Sequence, residues 1–158
     1  MMQKKICLLG AFSVGKTSLV KRYVSSLFDD KYLTTVGVKV DKKVLTLNDR
    51  DVTLMIWDIA GEDDYHSIKA SYLRGASGYI LVVDGTRPNT LDTALEIHEL
   101  ARSTLGEVPM VMALNKADLK TDWLIEQESL KDMPRLETSA KTGDNVEGLF
   151  SVLTEAML

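Results

Sequence analysis

A few short stretches of this chain carry residue types that can do chemistry. Gly10-Ala11-Phe12-Ser13-Val14-Gly15-Lys16-Thr17 follows an apolar run and opens into a segment with helical spacing of apolar residues. Strand, glycine-flanked loop and helix, in that order, are what a phosphate-binding loop requires. N–H groups at a helix start, together with the helix dipole, attract anions. Gly15 lets the backbone curl round a phosphate, and Lys16 adds a fixed positive charge. Thr17 puts a hydroxyl where a Mg²⁺ bridging two phosphates would sit. The pattern points to a nucleoside triphosphate.

Asp58, in Trp57-Asp58-Ile59-Ala60-Gly61, follows another apolar run and can hold Mg²⁺ through water, since that ion keeps several of its waters. A lone Asp in that position is more often a helix cap; next to Gly61 and a phosphate loop the metal role is the better reading. Gly61 would bring a backbone N–H close to the terminal phosphate, where a side chain would obstruct. Asn115-Lys116-Ala117-Asp118 follows a further run. Guanine presents N1–H and its exocyclic amine side by side, and one carboxylate, that of Asp118, can accept both. Adenine would meet that carboxylate lone pair against lone pair, which leaves groups unpaired and discriminates strongly. The tetrapeptide alone could be a surface turn, but Ser139-Ala140-Lys141 after the next strand strengthens the guanine reading.

The elements that must position these residues can be read from periodicity. Strands are expected over 3–9, 38–47, 52–57, 78–83, 110–114 and 135–137. The charges Lys39, Asp41, Lys42 and Lys43 place the second of these at a sheet edge, hairpinned to the third through Asn48-Asp49-Arg50-Asp51. Leu19, Val20, Tyr23, Val24 and Leu27 mark a first helix; a glycine-interrupted helical stretch covers 60–74. Leu91, Ala94, Leu95, Ile97, Ala101 and Leu105 mark a long helix closed by Gly106. Residues 123–133 read as a short helix stopped by Pro134, and Val146, Leu149, Phe150 and Leu153 as the last one. Alternation of strands and helices predicts an α/β sandwich with a mainly parallel sheet. Every polar cluster named above then falls at the carboxyl ends of strands, where such sheets bind ligands.

At 158 residues the chain is expected to form one domain spanning 1–158, and 45% hydrophobic with 27% charged residues is a globular balance. A net charge of −4 argues against a general nucleic-acid binder or a polybasic membrane surface. Cys7, the only cysteine, reads as a small buried hydrophobe, and the lack of an internal disulfide suits a reducing, cytoplasmic setting. No secretion signal, membrane-length apolar run or lipidation cysteine is present in the sequence, so no intrinsic membrane anchor is expected.

The stretches GAFSVGKTSLV, TTVGV, WDIAG, YLRGASGYILVVD, LNKADL and ETSAK resemble, in order and over nearly the whole length, those of the small GTPases of the Ras superfamily, closest to the Rab branch. The resemblance implies the small G-domain version of the P-loop NTPase fold. That is a six-stranded, mostly parallel sheet with one antiparallel edge strand and helices on both faces. It implies GTP/GDP and Mg²⁺ as cofactors. Backbone N–H groups of Ser13, Val14, Gly15, Lys16, Thr17 and Ser18 would wrap the α- and β-phosphates, with Lys16 reaching β and γ. Thr17 and Thr35 would ligate Mg²⁺ directly and Asp58 through water; Thr34 is adjacent, but Thr35 precedes Val36-Gly37 as the motif asks. Phe28 would lie against the base and Tyr32 would close over the phosphates. Asn115 would tie the base loop to the phosphate loop and the stem of Lys116 would cover the base, with Leu119 beside it. Asp118 would select guanine, supported by Ser139, and the N–H of Ala140, flanked by Lys141, would meet the guanine O6.

Residues 28–38 and 59–74 resemble the family's two switch loops, ordered by γ-phosphate contacts at Thr35 and Gly61 and read by effector, exchange-factor and activating proteins. Trp57 and Tyr72 match two of the three aromatics that Rab proteins offer to effectors; Val40 stands at the third position. Trp57 is equally readable as core packing. A monomer is implied.

The sequence departs from the family in instructive places. Glu62 stands where a glutamine usually orients the attacking water. An ionised glutamate accepts hydrogen bonds only, and brings negative charge towards the γ-phosphate. Phe12 stands where a small residue is usual and crowds the space an incoming arginine uses. Slow hydrolysis of GTP follows as the expectation, with Lys16, Thr35, Gly61 and Glu62 as the residues nearest the reaction. The alternative is a GTP-binding module with essentially no hydrolysis. His66, past Glu62, could compensate; His98 reads as a solvated helix residue. The 118–139 segment is short for the family, so a reduced helix is expected there. A P-loop kinase would need an acceptor pocket and lid for which little chain remains.

Overall fold

The computed structural model describes residues 2–25, 37–59, 70–130 and 132–158. Strands β1 (Met2–Gly10), β2 (Val38–Leu47), β3 (Arg50–Ile59), β4 (Gly78–Asp84), β5 (Met110–Asn115) and β6 (Arg135–Glu137) form one sheet in the order β2-β3-β1-β4-β5-β6. Every pairing is parallel except β2 with β3. Leu47 pairs with Arg50 across a two-residue turn at Asn48 and Asp49, both with positive φ (53° and 62°). That left-handed pair matches the twist of a hairpin, and Asn and Asp tolerate it. The turn is thus tighter than the sequence suggests, and Arg50 and Asp51 belong to β3. β2 lies at the sheet edge, as its charges require.

Helices α1 (Lys16–Ser25), α2 (Ala70–Leu73), α3 (Asn89–Leu105) and α4 (Val146–Met157) cover the sheet. Alternate residues of the central strands go to opposite faces, and both faces are buried. Ile6, Leu8, Ile80 and Val82 pack with Leu19 and Val20 of α1 and Leu149, Phe150 and Leu153 of α4. Cys7, Leu9, Leu81 and Val83 pack with Leu73 of α2 and Ala94, Ile97 and Ala101 of α3. Tyr23 stacks on Phe150 with ring centroids 4.0 Å apart. Cys7 is fully buried, as its apolar neighbours predict, and burial pushes its thiol up to about 12 despite the nearby charge of Lys5.

The expected helix over 123–133 does not form. Short 3₁₀ segments span Ala117–Asp122, kinked at Leu119, and Gln127–Leu130, with extended backbone at Trp123 between them. The physical reason is tertiary: the Trp123 indole is pressed against Gly85, where a Cβ would stand 2.2 Å from the ring, and its Nε1–H donates to the Lys116 carbonyl at 2.8 Å. His98 is also not a solvated residue. It is half-buried, with Nδ1 2.9 Å from the Tyr79 hydroxyl, and burial followed by the charge of Arg102 lowers its pKa. The helical stretch expected over 60–74 is described only from Ala70 onwards.

The chain leaves β1 for α1, returns by the hairpin to β3 on one side of β1, and then places β4 on the other side. The strand order reverses beside β1, the place where open α/β sheets bind ligands beyond the carboxyl ends of their strands. The loop 11–15 sits at that point.

Candidate functional site

The loop after β1 is shaped by backbone geometry first. Ser13 and Gly15 hold φ of 62° and 103°, so the chain winds through left-handed space before α1 begins. The first helical bond runs from Leu19 N–H to the Gly15 carbonyl at 2.9 Å. The N–H groups preceding it lie ahead of the helical ladder, where a helix binds anions. Carbonyls of the loop are held from outside. The Phe12 carbonyl accepts from Arg87 Nη1 at 2.9 Å and the Val14 carbonyl from Asn115 Nδ2 at 2.9 Å. Lys16, only 6% exposed, donates from Nζ to the Ala11 carbonyl at 2.9 Å and to that of Gly10 at 3.2 Å. Its ammonium is thereby stationed over the loop.

Beside the loop, the Thr17 hydroxyl donates to Asp58 Oδ2 at 2.6 Å. Asp58 is fully buried at the end of β3, and Thr17 is in the first turn of α1. A hydroxyl and a carboxylate brought together at a phosphate loop are hard oxygen donors, the set that suits Mg²⁺ shared with phosphates. The residues present fit the ion.

The base side is a second network. The Ser139 hydroxyl donates to Asp118 Oδ1 at 2.8 Å, and Ser139 Oγ in turn accepts from the Thr142 N–H at 3.1 Å. Asp118 is exposed and free to turn its remaining acceptor capacity outwards, while Ser139 and Ala140 are buried. The Ser139 carbonyl is taken by the Gly143 N–H at 2.8 Å. In a trans peptide the N–H points opposite to the C=O, so the Ala140 N–H is aimed away from Gly143. Arg22 of α1 donates Nε to the Ala140 carbonyl at 2.8 Å and Nη2 to that of Lys141. Asn115, buried, also accepts from the Thr138 hydroxyl at 3.2 Å and so joins the phosphate loop to β6's loop. Lys116 takes left-handed backbone (φ 71°) and sends Nζ to within 2.7 Å of Asp84 Oδ2.

The structure therefore brings together Ser13, Val14, Gly15, Lys16, Thr17, Ser18, Asp58, Asn115, Lys116, Asp118, Ser139, Ala140 and Lys141 at one edge of the sheet. Leu119 is on the 3₁₀ turn after Asp118 and is 41% exposed. Phe28, Tyr32, Thr34, Thr35, Gly61, Glu62 and His66 lie outside the described residues. Trp57 is half-buried: like Val38 and Tyr72 it packs against the core on the α3 side, and Lys5 Nζ stands 3.6 Å from its ring centroid. Val40, its partner across the β2–β3 ladder, is 43% exposed. Both readings of Trp57, core and surface, hold part of the truth.

Sequence reasoning passed over Asp84, Arg87, Arg22 and Thr138. A signal for Asp84 was present, since it ends a buried strand at the same sheet edge as Asp58 and Asn115. Nothing local marks Arg22 or Arg87, whose partners are 118 and 75 residues away.

A reversal of strand order over a left-handed, glycine-bearing loop, with carboxylates at neighbouring strand ends, defines a P-loop nucleotide-binding protein of the α/β class. The Ras family model matches residues 5–158, and the chain belongs to the Ras family. It is similar to the Ras-related protein Rab7 of Drosophila melanogaster, at 37% identity over 98% of this chain and 80% of that protein. It is similar to the Ras-related protein Rab-7b of Mus musculus, at 38% identity over 98% of this chain and 82% of the relative. The Ras-related protein RabJ of Dictyostelium discoideum is 35% identical over 94% of this chain and 61% of its own length. The chain is thus a GTP-binding small GTPase of the Rab-like branch.

Proposed function

We propose that this chain is a guanine-nucleotide switch that holds GTP or GDP with Mg²⁺, converts GTP and water slowly to GDP and phosphate, and is read by protein partners in its triphosphate state. The observation that carries the reading is the pairing of two devices on one sheet edge. Thr17 with Asp58 stands at the phosphate loop, and Asp118 braced by Ser139 stands two strands away. The first sorts for metal-bound phosphates; the second sorts for a base with two adjacent donors.

Mg²⁺, held by Thr17 and Asp58 with Thr35, would neutralise charge across the phosphates. Lys16 holds its ammonium over the loop, donating to the Ala11 and Gly10 carbonyls, and would turn it to a phosphate when nucleotide binds. Asn115 and Arg22 fix the base loop to the phosphate loop and to α1, so base and phosphates are gripped by one rigid frame. Partners would meet residues 28–38 and 59–74 and the adjoining surface of Val40, Trp57 and Tyr72. The chain would act as a monomeric single domain, 1–158, in the cytoplasm. Among the described residues no helix is long and apolar enough to cross a membrane.

Glu62 and Phe12 support slow turnover, and they equally support the second reading, a GTP-binding module without hydrolysis. The test is to identify the nucleotide released by denaturing the purified protein, then to follow single-turnover GTP hydrolysis in wild type and Glu62→Gln. Guanine nucleotide and a slow wild type accelerated by Glu62→Gln are the expected results. Adenine nucleotide would sink the role of Asp118, a wild type at least as fast as Glu62→Gln would sink slow turnover, and GTP persisting unchanged would favour the inert module.

A further inference from the structure

We propose that Arg87 is a positioning residue of the phosphate loop: its guanidinium, braced by Asp84, holds the Phe12 and Ser13 carbonyls outward so that the N–H groups behind them face the phosphates. The inference rests on the nucleotide reading above. Arg87 Nη1 donates to the Phe12 carbonyl at 2.9 Å and to the Ser13 carbonyl at 3.4 Å. With Asn115 on the Val14 carbonyl, the carbonyls of three successive loop residues are each held by a side chain. No cis peptide occurs among the described residues, so each held C=O points its partner N–H the opposite way. Those N–H groups belong to Ser13, Val14 and Gly15, the residues that must cradle phosphate oxygens.

Arg87 is itself fixed. Its N–H donates to the Asp84 carbonyl at 3.0 Å, and its own carbonyl accepts from the Thr90 hydroxyl at 2.7 Å at the start of α3. Asp84 is fully buried and central: Oδ1 accepts from the Thr86 N–H at 2.9 Å and hydroxyl at 2.7 Å, while Oδ2 faces Lys116 Nζ at 2.7 Å and Arg87 Nη1 at 3.9 Å. Lys116 Nζ reaches the Ser13 carbonyl as well, at 3.5 Å. One buried carboxylate thus orients two cations whose hydrogen atoms close on the same loop. Both donations leave from Nη1, which stands one bond beyond the point a lysine ammonium reaches, so charge alone at this position does not restore them.

The test uses the full chain loaded with the fluorescent GDP analogue mant-GDP in Mg²⁺ and chased with GDP. Arg87→Ala is expected to release it roughly tenfold faster, and Arg87→Lys, which keeps the charge but ends one bond short of Nη1, roughly threefold faster. The ³¹P resonance of the GDP β-phosphate should move in Arg87→Ala, a change that mere loss of stability does not produce. Release within twofold of wild type in Arg87→Ala, an unmoved β-phosphate resonance, or Arg87→Lys equal to wild type would overturn the proposal. The lysine variant keeps it testable if the alanine variant does not fold. Wild type that takes up no mant-GDP would instead overturn the nucleotide reading itself.

Discussion

Gly15→Ala probes the join between the phosphate loop and the base loop. An alanine Cβ at this position would lie 2.3 Å from Asn115 Nδ2, and the residue would have to keep a φ of 103°. Holding a non-glycine residue in such a conformation costs about 1–3 kcal/mol. The amide of Asn115 must also swing away, which abandons its bond to the Val14 carbonyl at 2.9 Å and the one it accepts from Thr138 at 3.2 Å. Each buried group left unmatched costs about 1–3 kcal/mol. Taking the lower part of these ranges, the bound, ordered loop is destabilised by about 3–5 kcal/mol, or roughly 10²- to 4 × 10³-fold in GDP affinity. Equilibrium titration with mant-GDP measures this directly. The clash also makes a coupling prediction. In an Asn115→Ala background the same Gly15→Ala change should cost only its backbone part, because the amide it collides with is gone. A Gly15→Ala affinity within threefold of wild type, or strict additivity in the double mutant, would refute the reasoning.

Two further outcomes follow from the same geometry. Asp118→Asn replaces one acceptor oxygen by a donor, so GDP affinity should fall at least about a hundredfold while xanthosine diphosphate, with an acceptor in place of the amine, gains; competition titration with both nucleotides checks it. Asp84 is the group to watch in acid. Burial pushes its carboxyl up, but the Lys116 ammonium and the Thr86 donors outweigh that and hold it below the ordinary carboxylate range. A depressed folded-state pKa adds stability that is complete above the unfolded value, near ~4, and is lost as pH falls through the folded one. Urea unfolding from pH 7 downwards should show a shallower acid limb in Asp84→Asn than in wild type, together with lower stability at pH 7 because Lys116 loses its buried partner. Parallel acid limbs would show that Asp84 does not carry this charge dependence.

Much of the fold was legible because the information is local. The runs of β1, β4 and β5 are short, apolar and bounded by glycine or turn residues, and α3 and α4 repeat their apolar positions at helical spacing. The edge position of β2 was legible from its charges, since only an edge strand can solvate them. Residues 123–133 misled because the Trp123 conformation is decided by a flat contact with Gly85 and a bond to the Lys116 carbonyl, neither of which is visible in neighbouring residues. His98 misled because its helix position is half-covered by Tyr79.

By itself the sequence determined which groups reach the sheet edge: Lys16, Thr17, Asp58, Asn115, Asp118 and Ser139 stand at strand ends because strand length and turn chemistry are local properties. Tertiary structure alone decided how they are held. The Phe12 carbonyl meets a guanidinium from the far side of β4, the Ala140 carbonyl meets Arg22 from α1, and Asp84 meets Lys116 across the β4–β5 pair. Such contacts join residues remote in the chain, and their directions are set by strand order and register, which no stretch of sequence states on its own.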